Sequence, residues 1–348
     1  KAQGCFGCQL LYLQKVLVQV VPLVMLFLVF LSIIPVAASH GGITSPPARQ
    51  TTVSLWFNEG CQIGCPRCIG HYTPIRWPPQ LCSKHSVEPT LDPSLITYPN
   101  MTWKNYNPWM APGHAPVFSP CGLAAGQANG SYPKNGDVPP PGYTPGDDMR
   151  DLKPTTPTEW PIGSLQEVSW TIAANHGGGY AVRLCPRSSN LTEDCFQSHH
   201  LSFDGDYSWI QSGSDPSVRN KIRANRTTIG TQPSGSQWTK LPIPSCGGFA
   251  GGGLGCDAGC AIPQFPTPVP GLWGNGPGNG CAGCNMSAPA HQQEICKKTM
   301  SYQIIDKVKV PDMPTGDYVM SFRWDCEQTP QIWSQCADIK ITKQTIVV

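Results

Sequence analysis

The feature that most constrains this chain is the apolar run from Val16 to Ile34, VLVQVVPLVMLFLVFLSII. Pro35 and the small residues Ala37, Ala38 and Ser39 follow it. A start carrying Lys1 and Lys15, an apolar centre and a small-residue end is the layout of a secretory signal. The run is also long enough for an uncleaved anchor. Pro35 and the small residues favour cleavage, after Ser39. The expectation is a signal peptide over 1–39 and a secreted, extracellular chain over 40–348, with no membrane partner once the signal is removed. Everything downstream then folds in an oxidising compartment.

The cysteines agree with export. There are 17, and in that compartment they read as disulfides. Cys5 and Cys8 precede the expected cut and leave an odd number behind. Cys61, Cys65, Cys68 and Cys82 have a spacing that a zinc site also uses; export favours disulfides there too. Asn-x-Ser/Thr sequons at Asn100, Asn129, Asn190, Asn225 and Asn285 are candidate glycosylation sites. Only 13% of residues are charged and the formal net charge is +2, so nothing points to a nucleic-acid partner.

Gly 36 and Pro 37 imply many turns and long ordered loops. Helical periodicity is scarce after His40. Alternating runs at 167–175, 180–186, 300–311, 316–327 and 336–342 predict strands; in the first, Val168, Trp170 and Ile172 share one face. The Pro/Gly stretch 134–148 reads as a surface loop and the Cys-punctuated stretch 245–284 as an insertion within one domain. The predicted fold is all-β: an immunoglobulin/fibronectin-like β-sandwich with long disulfide-stapled loops, forming one domain over 40–348.

Three elements carry candidate chemistry. Cleavage after Ser39 gives His40 a free α-amine beside its imidazole, and these two nitrogens can chelate one metal ion. The amine titrates near ~7.7–8, so a metal can displace its proton at neutral pH. His176, in ANHGGGYAVRLCP, directly follows a predicted strand and precedes three glycines that permit a sharp turn. A three-nitrogen set with open positions favours Cu(II). The third element is RWDCEQTPQIWSQCADIKI, residues 323–341, in which Gln331 and Trp333 share a face if the segment is extended. Each element has a plain structural reading on its own; together they are specific.

As a set they resemble the lytic polysaccharide monooxygenases, secreted mono-copper enzymes. The expected mature start HGGITSPPAR, the segment NPWMAPGHAPVFSPCG with Ser119 where Asp is usual, the ANHGGGY segment and the closing CADIKI strand are all similar to that family, across residues 40–342. The resemblance implies that His40 and His176 bind one copper ion, that Trp333 stands at the axial position where Tyr or Phe is usual, and that Gln331 is a polar group just outside the ligands. It implies hydroxylation at C1 or C4 of the glycosidic linkages of an insoluble polysaccharide, chitin or cellulose. An external electron donor and O2 or H2O2 would be co-substrates, and a monomer is expected. Trp56, Tyr72, Trp77 and Trp109 are candidate sugar-stacking residues. Cys185–Cys195 and Cys326–Cys336 are the expected disulfides.

The role of His114 is open, as is whether Arg49 lines the copper surface. His199 and His200 read as an exposed pair on a strand edge. Two other function classes compete: a non-catalytic carbohydrate-binding protein, and an extracellular copper-binding protein.

Overall fold

The computed structural model describes residues 41–49, 109, 112–114, 117, 119–124, 141–144, 147–172, 175, 177–212, 215–245, 265–270, 272, 302–326 and 332–344. All of them belong to one compact unit, Ala38–Val348. The strands in chain order are β1 (Gly41–Ser45), β2 (Thr158–Pro161), β3 (Leu165–Ile172), β4 (Gly179–Pro186), β5 (Ser202–Phe203), β6 (Tyr207–Ser212), β7 (Arg219–Arg223), β8 (Arg226–Thr227), β9 (Trp238–Lys240), β10 (Tyr302–Lys309), β11 (Gly316–Asp325) and β12 (Ile332–Thr342). The one α-helix among the described residues is the short α1 (Glu193–Gln197), capped by the Thr192 hydroxyl, which accepts from the Cys195 N–H.

The strands form two six-stranded sheets. The first runs β1-β3-β10-β6-β7, with β5 also on β10; the second runs β2-β12-β11-β4-β9-β8. Their facing sides share one core, as the period-2 patterns require. Val168, Trp170 and Ile172 of β3 meet Tyr318, Met320, Phe322 and Trp324 of β11. Trp170 is the keystone, with its ring 4.8 Å from both Tyr180 and Phe322 and 5.4 Å from Trp324. The all-β sandwich expected from the sequence is the fold observed. The five expected strands are β3, β4, β10, β11 and β12. The last begins earlier than expected, at Ile332, because Asp325 pairs with Ile332 and extends the β11–β12 hairpin. The other seven strands are short, and their sequence patterns are too brief to carry a period.

One polar node is built into this core. The buried Asp306 carboxylate accepts from Tyr180 Oη (2.6 Å), Ser208 Oγ (2.6 Å) and Arg226 Nη2 (3.2 Å), which joins both sheets. Burial raises the Asp306 pKa despite the facing Arg226, so these three donors are needed to hold the group inside.

The second sheet is covered on its far side as well. Cys121 is disulfide-bonded to Cys336 of β12, and Cys185 of β4 to Cys195 of α1. The expected Cys326–Cys336 bridge is therefore corrected. Cys336 stands opposite Ser321 in the hairpin register. Cys326 directly follows the end of β11, five residues on from Ser321 and about 17 Å away at strand rise, far beyond the reach of a disulfide.

Candidate metal centre

His40, His176 and Gln331 lie outside the described residues, as do Trp56, Tyr72, Trp77, Asn100, Asn129 and Asn285. The backbone directly after each of the two histidines is described, and it converges. Gly41, the residue after His40, pairs with Ile172 at the end of β3. A Cβ added to Gly41 would stand 3.0 Å from Thr171 O and 3.4 Å from Trp324 Cζ3. Gly177, the residue after His176, accepts a 2.8 Å hydrogen bond at its carbonyl from Trp324 Nε1. One indole lies against the first segment and its N–H holds the second.

Each segment is anchored further. Residues 41–49 bridge both sheets. β1 pairs with β3, while the Ile43 N–H donates to Gln335 Oε1 of β12 at 2.7 Å. Beyond the strand, Arg49 donates its backbone N–H to Cys336 O at 2.8 Å and forks its guanidinium onto Asp338 at 2.7 and 3.0 Å. Arg49 is buried in this pair. On the other side, Asn175 Oδ1 accepts from the Gly177 N–H at 2.9 Å. Asn175 Nδ2 donates to Ile243 O at 2.9 Å. Gly178 has φ +90, and a Cβ there would stand 2.0 Å from Asp325 O, so this turn requires glycine.

Trp333, the expected axial residue, stands directly opposite Trp324 in the β11–β12 pair. Their rings stack at 5.9 Å with 27° between planes, and Trp333 is 2% exposed. It is therefore one ring away from both Gly41 and Gly177.

Beneath the Gly178 turn lies a buried charge network. Arg323 forks onto Asp325 at 2.6 and 2.9 Å and donates to Glu193 at 2.8 Å; Arg183 also donates to Glu193. Burial opposes the charge on Glu193, but Arg183 and Arg323 hold its carboxyl below the usual range. Asp325 Oδ2 in turn accepts from the Gly113 N–H at 3.0 Å, and Gln197 Nε2 donates to Gly113 O at 3.2 Å. This clamps the turn that carries His114 beside the Gly178 segment.

Two expectations are corrected. Trp109 does not face the surface: it is wholly buried, packed against Gly179 and against Trp238 at 6.3 Å. The tight approach is possible because residue 179 is glycine. His200 is no exposed histidine either. Both its ring nitrogens are inaccessible, its ring lies 6.0 Å from Trp238, and burial beside Arg183 and Arg323 pushes its pKa well below the ordinary value. Of the sequons, Asn190 and Asn225 are within the described residues, and both are exposed.

Sequence reasoning did not single out Trp324 or Gln335. Trp324 lies within the quoted RWDCEQ run, but its role follows from cross-strand pairing with Trp333, which the chain order does not reveal.

No family model matches the chain. Two curated relatives share a short segment with it. One is an AA13 family lytic polysaccharide monooxygenase A of Pyricularia oryzae, 44% identical over 41 residues, which are 12% of this chain and 11% of the relative. The other is the lytic polysaccharide monooxygenase aasB of Emericella nidulans, 42% identical over 45 residues, 12% of this chain and 14% of the relative. The match thus spans about a tenth to a seventh of these relatives' length. Among solved structures, an AA15 lytic polysaccharide monooxygenase from Thermobia domestica aligns over 53% of this chain and 61% of its own, with 16% identity and a TM-score of 0.24, too low to carry an argument. This chain therefore shares part of its sequence with the lytic polysaccharide monooxygenases, the family its motifs resemble.

Proposed function

We propose that the protein is a secreted, copper-dependent enzyme that cleaves an insoluble polysaccharide, chitin or cellulose, by oxidation. The observation that carries this reading is that Gly41 and Gly177, each directly following one of the two candidate ligands, both rest on the Trp324 indole. His40 would supply its α-amine and imidazole and His176 a second imidazole. This all-nitrogen set suits Cu(II) over oxygen-preferring ions. Copper bound there would supply the oxidising chemistry, hydroxylation at C1 or C4 of the sugar, given an external reductant and O2 or H2O2.

The chain's own residues hold the geometry. Trp324 and Asn175 fix the two segments, and Gln335 ties β1 to β12. Trp333 would close one face of the metal site, and Gln331 would offer a polar group beside its open side. Asn190 and Asn225 would carry glycans.

The test is intact mass and N-terminal sequencing of the exported protein, followed by copper titration and incubation with chitin or cellulose, ascorbate and peroxide. The expected results are a chain beginning at His40, one copper per chain and oxidised oligosaccharides. A mature chain with a different first residue removes the amine ligand and leaves a carbohydrate-binding protein. Copper binding without oxidised products from any polymer leaves a copper-handling protein.

A further inference from the structure

The outward side of the first sheet carries a basic, aromatic surface that the copper reading does not use. β6 and β7 pair so that Tyr207 stands opposite Arg223, Trp209 opposite Lys221 and Gln211 opposite Arg219. Trp209 also stands opposite Ile305 of β10, which puts Lys307 on the same side one step along. Lys221 Nζ lies 4.1 Å from the Tyr207 ring centroid and Lys307 Nζ 5.4 Å from that of Trp209. Tyr207 is 41% exposed, one of three large hydrophobic residues so exposed among the described residues.

The charges on this side are not balanced. Glu167 takes Arg219 in a two-pronged pair at 2.9 and 3.0 Å, and Asp206 lies 3.8 Å from Arg223. Among the described residues no carboxylate lies within ion-pair distance of Lys221, Lys307 or Lys309. Cationic side chains often protect an edge strand from pairing with another chain, and that accounts for Lys221 on the edge strand β7. It does not account for Lys307, which lies on the central strand β10 directly opposite Glu167 of β3, a carboxylate already taken by Arg219.

We infer that this face is a second polysaccharide-binding surface, distinct from the metal centre, and that its ligand is a polymer of uronic acids. A uronate ring has an apolar C–H face that can stack on Tyr207 and Trp209, while the carboxylate on its edge reaches an ammonium. Lys221 and Lys307 flank Trp209 from neighbouring strands, about 12 Å apart across two strand spacings and a two-residue offset, a span that a few successive sugar rings of one chain can bridge. The cation–π contacts keep each ammonium over its ring, and an arriving uronate takes that ring face while its carboxylate draws the ammonium to the ring's edge. A neutral polymer would leave those charges unmatched, and a plain polyanion would leave the rings unused.

The test is affinity electrophoresis of the whole protein, stripped of metal with a chelator, in gels containing polygalacturonate, hydroxyethylcellulose, dextran sulfate or polyglutamate. Polygalacturonate should retard it, and added salt should weaken that retardation but not any retardation by hydroxyethylcellulose, which would belong to the substrate surface of the copper reading. The exposed-charge variant Lys221→Glu/Lys307→Glu should bind polygalacturonate at least about tenfold more weakly, roughly one charge-assisted contact. Trp209→Phe should retain binding, and Trp209→Ala, checked for folding by near-ultraviolet circular dichroism, should lose most of it. Lack of retardation by polygalacturonate, or a lysine double variant that binds as wild type does, overturns the inference. Equal retardation by dextran sulfate or polyglutamate that ignores Trp209→Ala also overturns it, and marks a surface for acidic macromolecules in general. Because copper is absent from the assay, its outcome is separate from that of the oxidative reading.

Discussion

The indole N–H of Trp324 donates to the carbonyl of Gly177 at 2.8 Å, with Trp324 wholly buried. The same ring touches Gly41, so one side chain spaces the two candidate metal-binding segments. Trp324→Phe retains most of the apolar bulk and deletes only the donor. The carbonyl left behind should cost about 1–3 kcal/mol of stability. If the hydrogen bond positions the second ligand, copper affinity should fall and the copper electron paramagnetic resonance spectrum should change. An unchanged spectrum with reduced stability would restrict Trp324 to a packing role.

Gly178 tests the turn itself. Alanine there must adopt φ +90 and bring its Cβ to 2.0 Å from Asp325 O. Gly178→Ala should therefore destabilise by more than about 1 kcal/mol. Gly142 has a similar φ, +87, with open space around it, so Gly142→Ala should cost less. Thermal melts of the two variants give the comparison, and equal losses would show that crowding at position 178 is unimportant.

The disulfides make a mapping prediction. Proteolysis without reduction should yield a Cys121–Cys336 peptide pair and a Cys185–Cys195 pair, and none joining Cys326 to Cys336. The first bridge closes a loop of 215 residues and pins the 119–124 segment to β12. Replacing both its cysteines with serine should cost roughly 2–5 kcal/mol, read from denaturant unfolding under oxidising conditions.

His200 gives stability a specific pH dependence. Burial, with Arg183 and Arg323 adding repulsion, holds its imidazole well below the ordinary value of 6.5. Below about pH 6.5 the unfolded chain takes up a proton that the folded chain refuses, so stability is present above that pH and falls on acidification. The slope for this one group is at most about 1.4 kcal/mol per pH unit, continuing until the depressed folded pKa is reached. His200→Phe should flatten the stability profile between about pH 4.5 and 6.5, above the carboxylate range. A variant whose profile runs parallel to wild type shows that another group sets the acid slope.

By itself the sequence determined the periodic features. Alternation in EVSWTI, GDYVMSFRWD and CADIKIT is a local property, because side-chain direction in a strand repeats every two residues; the all-β sandwich was legible from it. The small residues that end the apolar run before His40, and the glycines after His176, were legible because they too are local. What only the tertiary structure decided are relationships between distant segments. Register placed Cys336 opposite Ser321 and out of reach of Cys326, and register brought Trp333 onto Trp324. Burial turned Trp109 and His200 inward, since a segment with no period of its own takes its orientation from what packs on it. Trp324 acquired its place between Gly41 and Gly177 in the same way: three residues far apart in the chain meet only once both sheets have closed on one core.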